Sequence, residues 1–218
     1  MNKLVIDVGG TFIKYAVMDN EANILSKGSV PTPLDTREHF IAALVDLFEA
    51  HADQVDGIAM SVPGNIDSAT GFVYTPGALS FNYNTPLADD VRNAVFERTG
   101  KTIRVSIEND GKAAALAEVW KGNLADCNDG VVIILGTGIG GGIILNRRVV
   151  KGKDFFAGEL SFLMNDVNVK GFANCFANAC STASLTKKVA DQKGLPAEEV
   201  DGFKVFELLD AQDEQTHA

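Results

Sequence analysis

The sequence predicts an α/β fold in which one βββα unit occurs twice, the second time without its closing strands. Three observations carry this. The stretches "KLVIDVGGTFIKYAVMD" and "VVIILGTGIGGGIILN" each place a glycine turn between two strand-like runs. Between them the apolar residues take helical spacing and then return to strand runs, the alternation of an α/β unit. After Ser181 only helical patterns follow. The expected parts are 1–122, an N-terminal α/β domain, and 123–218, a partial second one.

Residues 3–8, 11–19 and 24–30 read as an antiparallel meander with tight glycine turns. "DTREHFIAALVDLFEAH" reads as a helix, with Asp35 and Glu38 as a capping box and Phe40, Leu44, Leu47 and Phe48 on one face. "VDGIAMSVPG" is a strand ending at Pro63-Gly64. Residues 65–86 read as loop. "LADDVRNAVFERTG" is a helix that Gly100 stops. "TIRVSI" is a strand, and "DGKAAALAEVWKG" is an alanine-rich helix of good propensity. From Gly130 the meander restarts with "VVIILG", "GGGIILN" and "RRVVKG". "TASLTKKVADQKG" and "GFKVFELLDAQDEQTHA" complete the chain as helices.

The formal net charge of −10 argues against nonspecific binding to nucleic acid or to an anionic membrane surface. No apolar run reaches the roughly 20 residues of a membrane span. The first residues enter a strand at once, unlike a signal peptide. Cys127, Cys175 and Cys180 form no disulfide framework and are expected to be reduced thiols of a cytoplasmic protein.

The glycines raise the question of function. "GKT" at 100–102 is similar to the end of a P-loop, but the position five residues before Gly100 is Val95, and a strand follows where a helix is required. Gly136, Gly138 and Gly141 match G-x-G-x-x-G, yet β-branched "GIILN" follows in place of the dinucleotide-binding helix. A glycine turn between antiparallel strands, whose amides form an anion nest, fits both stretches. "DVGGTFIKYAV" adds Asp7 and Lys14 beside it. The plain alternative is a pair of tight hairpins with no ligand.

"IDVGGTFIKYAVMD", "SVPGNID", "IENDGKAAALAE", "ILGTGIGGGIILN" and "AGELSF" resemble, in order and spacing, the ROK family (repressor, open reading frame, kinase) over residues 3–165. The resemblance implies duplicated actin-like ATPase (ribonuclease H-like) domains and an ATP-dependent sugar kinase, with the sugar between the domains and ATP against the second. It implies ATP and Mg²⁺ as cofactors and suggests a homodimer. Asp110, of "END", resembles the general base; from the residues alone, Asp110 could equally cap its helix. Asn109 resembles a residue bonding a sugar hydroxyl, and Glu159 a sugar-contacting glutamate. Asn82 is a weaker sugar candidate, because a loop Asn is also a turn former. Asp7 resembles the carboxylate that organises Mg²⁺ indirectly. Gly9, Gly10, Thr11 and Lys14 match the first phosphate-facing hairpin, Thr137 and Gly138 the second.

Two features depart from that pattern. Many members carry a His three residues after the Glu, then a cysteine cluster that binds structural zinc. Here the position is Phe162, and "CFANAC" has only two cysteines, so no zinc site is expected. This resembles the zinc-less subgroup that includes β-glucoside kinases and glucokinase-like members, and an apolar wall there would tolerate a glycosidic substituent. Family members also continue past residue 218, so the second domain is expected to be incomplete. A sugar-binding module without catalysis is therefore the alternative to a kinase. A repressor of the same family would need a helix-turn-helix, for which Met1 and Asn2 leave no room.

Overall fold

The computed structural model describes residues 2–211. It forms two compact units, one of 2–113 with Lys151–Phe156, the other of Ala114–Val150 with 157–211.

In the first unit, β1 (Asn2–Val8), β2 (Phe12–Met18) and β3 (Ile24–Pro31) form the expected antiparallel meander. β4 (Val55–Val62) and β7 (Arg104–Asn109) extend it in parallel, giving the order β3-β2-β1-β4-β7. Parallel neighbours need long crossovers. These contain α1 (Arg37–Ala50) and α2 (Leu87–Thr99). Phe40, Leu44, Leu47 and Phe48 are all buried, as their spacing predicts. Each such side chain contributes about 1.5–3 kcal/mol by leaving water.

The cap of α1 differs from expectation. Thr36 accepts from the His39 N–H, while Asp35 bonds the His39 ring at 2.6 Å. That bond, then the Thr36 backbone N–H, holds the exposed Asp35 carboxyl below its ordinary pKa. Gly100 ends α2 with φ 69°, a left-handed position that favours glycine, so it is the helix stop and not a phosphate loop. The expected 65–86 loop contains a short hairpin, β5 (Asn65–Asp67) with β6 (Phe72–Thr75). Its strands are too short to show a clear period.

α3 (Asp110–Lys121) begins in the first unit and ends in the second. There β8 (Gly130–Leu135), β9 (Ile139–Leu145) and β10 (Arg148–Val149) repeat the meander, in the order β10-β9-β8. Asn146 and Arg147, both at positive φ, make the two-residue turn between β9 and β10. The Arg147 guanidinium donates to the carbonyls of Val119, Ala125 and Cys127, tying that turn to the end of α3. Among the described residues nothing pairs with the far edge of β8, and Val131, Ile133 and Leu135 face outward. α4 (Phe176–Cys180), α5 (Thr182–Lys193) and α6 (Gly202–Asp210) follow in this unit, α5 and α6 sharing a small core of Val189, Ala190, Val200 and Val205. Residues 212–218, the end of the last expected helix, lie outside the described residues.

Among the described residues no helix is long and apolar enough to cross a membrane. The three cysteines are free thiols.

Candidate active site

The carboxyl ends of three parallel strands gather the candidate residues of the first unit. Register aligns Asp7 of β1 with Ser61 of β4, and Ser61 with Glu108 of β7. Ligands of open α/β sheets gather at such ends. Ser61 Oγ donates to Asp7 Oδ1 at 2.6 Å, and Lys14 Nζ lies 3.6 Å from Asp7 Oδ2. Lys14 faces Asp7 because the two are register partners across β1 and β2. Both side chains are more than half exposed, so the pair adds little stability by itself.

Asn109 ends β7 and is 4% exposed. Its Oδ1 accepts from the Lys112 N–H at 3.0 Å, which makes Asn109, not Asp110, the cap of α3. Its Nδ2 donates to the Gly64 carbonyl and to Asp110 Oδ1, each at 3.0 Å. Asp110 Oδ1 also accepts from the Gly111 N–H at 2.8 Å. The base candidate is thus braced from two sides at a helix N-terminus, where a carboxylate is stabilised.

Thr11 and Gly10 are exposed at the tip of the β1–β2 hairpin. Gly9 is close to the chain itself: its N–H bonds the Phe12 carbonyl, and a Cβ there would make a tight 3.0 Å contact with that oxygen. A Cβ on Gly10 would make only an ordinary 3.7 Å contact.

The second unit carries the remaining predicted residues. Thr137 and Gly138 are exposed at the β8–β9 hairpin tip. Ser161 braces this hairpin, its Oγ donating to the Ile139 carbonyl at 2.6 Å and accepting from the Ile139 N–H at 3.2 Å. The glycine run divides into two groups. A Cβ on Gly141 would sit 2.7 Å from Leu160 Cδ1 and 2.9 Å from the Val132 carbonyl oxygen. Gly158, at φ 83°, packs on the same run, and its Cβ would lie 3.2 Å from Gly142 Cα. These glycines let the 158–160 segment lie against β9. Gly136 and Gly138 meet nothing closer than 3.8 and 3.7 Å and are not in the left-handed region. The chain's own packing does not require glycine at either.

Glu159 is half-buried just before a 3-10 turn of Leu160–Phe162. Phe162 is 45% exposed, with the Phe172 ring 5.9 Å away. Among the described residues no three His, Cys, Asp or Glu side chains are grouped to hold a metal ion. Metal analysis of the purified chain is expected to find no stoichiometric zinc; one tightly held zinc per chain would refute the reading of Phe162 and "CFANAC".

Asn82 stands apart. It is 0% exposed, and neither atom of its amide has a hydrogen-bond partner among the described residues. An unpaired buried amide costs about 1–3 kcal/mol. Asn82→Leu is therefore expected to stabilise the chain by about that much, read as a higher melting temperature, with sugar affinity unchanged. A loss of sugar affinity would instead support the sugar contact expected of Asn82. Pattern reading did not single out Ser61 and Ser161, because a lone serine in a strand or loop carries no period.

The ROK family model matches residues 3–218. This chain belongs to the ROK family. The β-glucoside kinase of Listeria monocytogenes serovar 1/2a is 31% identical to this ROK chain, over 98% of this chain and 71% of that protein. The β-glucoside kinase of Klebsiella pneumoniae is 29% identical, over 98% of this chain and 70% of its own length. A solved ROK family protein from Streptococcus pneumoniae TIGR4, in complex with sucrose, shares the fold with a TM-score of 0.82 at 26% identity, over 100% of this chain and 70% of that one. The ROK chain thus spans about 70% of the length of these relatives. The α/β architecture with its paired meanders is the ROK fold.

Proposed function

We propose that this ROK protein is an ATP-dependent sugar kinase acting on a hydroxyl of a hexose or β-glucoside. The observation that carries the proposal is Asp110, braced by Asn109 and the Gly111 N–H at the start of α3. In this reading Asp110 accepts the proton of the attacking sugar hydroxyl as the new O–P bond forms and ADP leaves. Asn109 has both amide hydrogens committed, so its role is to hold Asp110, with only a second lone pair on Oδ1 left for a sugar hydroxyl. Glu159 supplies a further acceptor for the sugar.

The donor set fits a magnesium nucleotide. Mg²⁺ commonly binds through one or two carboxylates, waters and substrate phosphates. Asp7, oriented by Ser61, is such a carboxylate, and Lys14 beside it suits a phosphate oxygen. Gly10 and Gly138, which the fold does not need as glycines, would let a phosphate approach the backbone of each hairpin tip. Mg²⁺ would offset charge developing on the transferred phosphoryl group.

Phe162 offers neither a donor nor an acceptor, which favours a glycoside over a sugar that needs a polar contact there. The two β-glucoside kinase relatives support the same choice. The test is ADP production with cellobiose, glucose and N-acetylmannosamine, set beside sugar binding by calorimetry. Turnover highest with cellobiose is expected. Sugar binding without ADP release would replace the kinase reading with a binding module.

A further inference from the structure

Lys151 opens the Lys151–Phe156 segment, which packs within the first unit although its flanking residues belong to the second. Its Nζ donates to Glu108 Oε2 at 2.6 Å and also to Ser68 Oγ. The Lys151 and Glu108 side chains are only 27% and 14% exposed. In such a desolvated pair, losing one partner leaves a costly unpaired charge. The other carboxylate oxygen, Glu108 Oε1, accepts from the Asn109 N–H at 3.0 Å. Asn109 in turn braces Asp110. At the far end of the segment, Phe155 stacks on Tyr74 with centroids 5.5 Å apart and planes 13° from parallel. Phe155 holds φ 58°, which a bulky residue rarely adopts unless its surroundings enforce it. The segment is thus anchored at both ends and presents Lys151 in a fixed place.

We propose that Lys151 is a positioning residue for the general base, clamping Glu108 so that Asn109 holds Asp110 in its reactive orientation. The proposal rests on Asp110 being that base. Misplacing a reacting group by about 1 Å can cost about a hundredfold in rate.

The experiment compares Lys151→Met, Lys151→Arg and the double variant Glu108→Gln/Lys151→Met in the full chain. Turnover and KM with cellobiose, melting temperature, and amide hydrogen exchange at Gly111 and Lys112 are measured on each. Lys151→Met is expected to lower kcat by about ten- to a hundredfold, leave KM near wild type, and speed exchange of both amides. Lys151→Arg is expected to regain most of kcat. The double variant, free of the unpaired charge, should regain the melting temperature but not kcat. Unchanged kcat in Lys151→Met, or kcat that returns with the melting temperature in the double variant, would overturn the proposal. Should Lys151→Met fail to fold, the double variant alone decides. If the wild-type chain binds sugar but transfers no phosphate, the kinase reading fails. The exchange rates then still decide the clamp: unchanged exchange at both amides refutes it.

Discussion

Asp110→Asn is expected to lower turnover by about 10²–10⁴-fold, the usual effect of losing a positioned base, while the sugar dissociation constant hardly moves. The asymmetry has a structural reason. An Asn oxygen can still accept from the Gly111 N–H and from Asn109 Nδ2, as Asp110 Oδ1 does now. The start of α3 therefore stays in place, the more so because its cap is the neighbouring Asn109. What is lost is the ability to take a proton at neutral pH. Turnover and sugar affinity are to be measured on the same preparation, with a melting curve. Near-normal turnover removes Asp110 from the mechanism. A collapsed melting transition means that the carboxylate is chiefly structural.

The second large effect separates two kinds of glycine in one motif. Gly141→Ala forces a methyl group to within 2.9 Å of a backbone oxygen of β8, which cannot move without disturbing the sheet. Overpacking of this kind costs about 1–3 kcal/mol, so the melting temperature should fall. Gly138→Ala places its methyl no closer than 3.7 Å to Ser161 Oγ and should melt like wild type. Its effect is expected on ATP binding, weakened about tenfold, equivalent to about 1.4 kcal/mol, because the methyl group would stand where the proposed function brings a phosphate. Calorimetric titration with Mg·ATP on both variants is the check. Equal nucleotide affinity for Gly138→Ala and wild type would leave the hairpin tip without a ligand role.

Both expectations start from residues visible in the sequence, and both depend on contacts that are not. The Asp7, Gly9 and Gly10 turn, the apolar face of α1 and the Gly100 stop follow from local rules of spacing and backbone freedom. The "END" and "GTGIGGG" stretches are likewise contiguous, so they could carry a resemblance to the ROK family before any fold was known. Whether Asp110 caps α3 or is left for chemistry was open in the sequence, because an Asp at that place is also a good cap. Packing resolved it by burying Asn109 against Gly64, forty-five residues earlier in the chain. The division of the glycines followed from the close approach of the 158–160 segment, which no period encodes.

By itself the sequence determined most of the order of strands and helices and the repeated meander, and its motifs carried the resemblance to the ROK family. The elements are set by side-chain period and backbone conformation within a few residues. Only the tertiary structure decided that Asn82 is sealed away from solvent, that Ser61 orients Asp7, and that Lys151 lies against Glu108. Each of these depends on partners brought together across 43 residues or more, or on the closing of a core around one side chain. Such proximity arises from how the strands pair and which surfaces are buried together, and a local pattern contains no information about it.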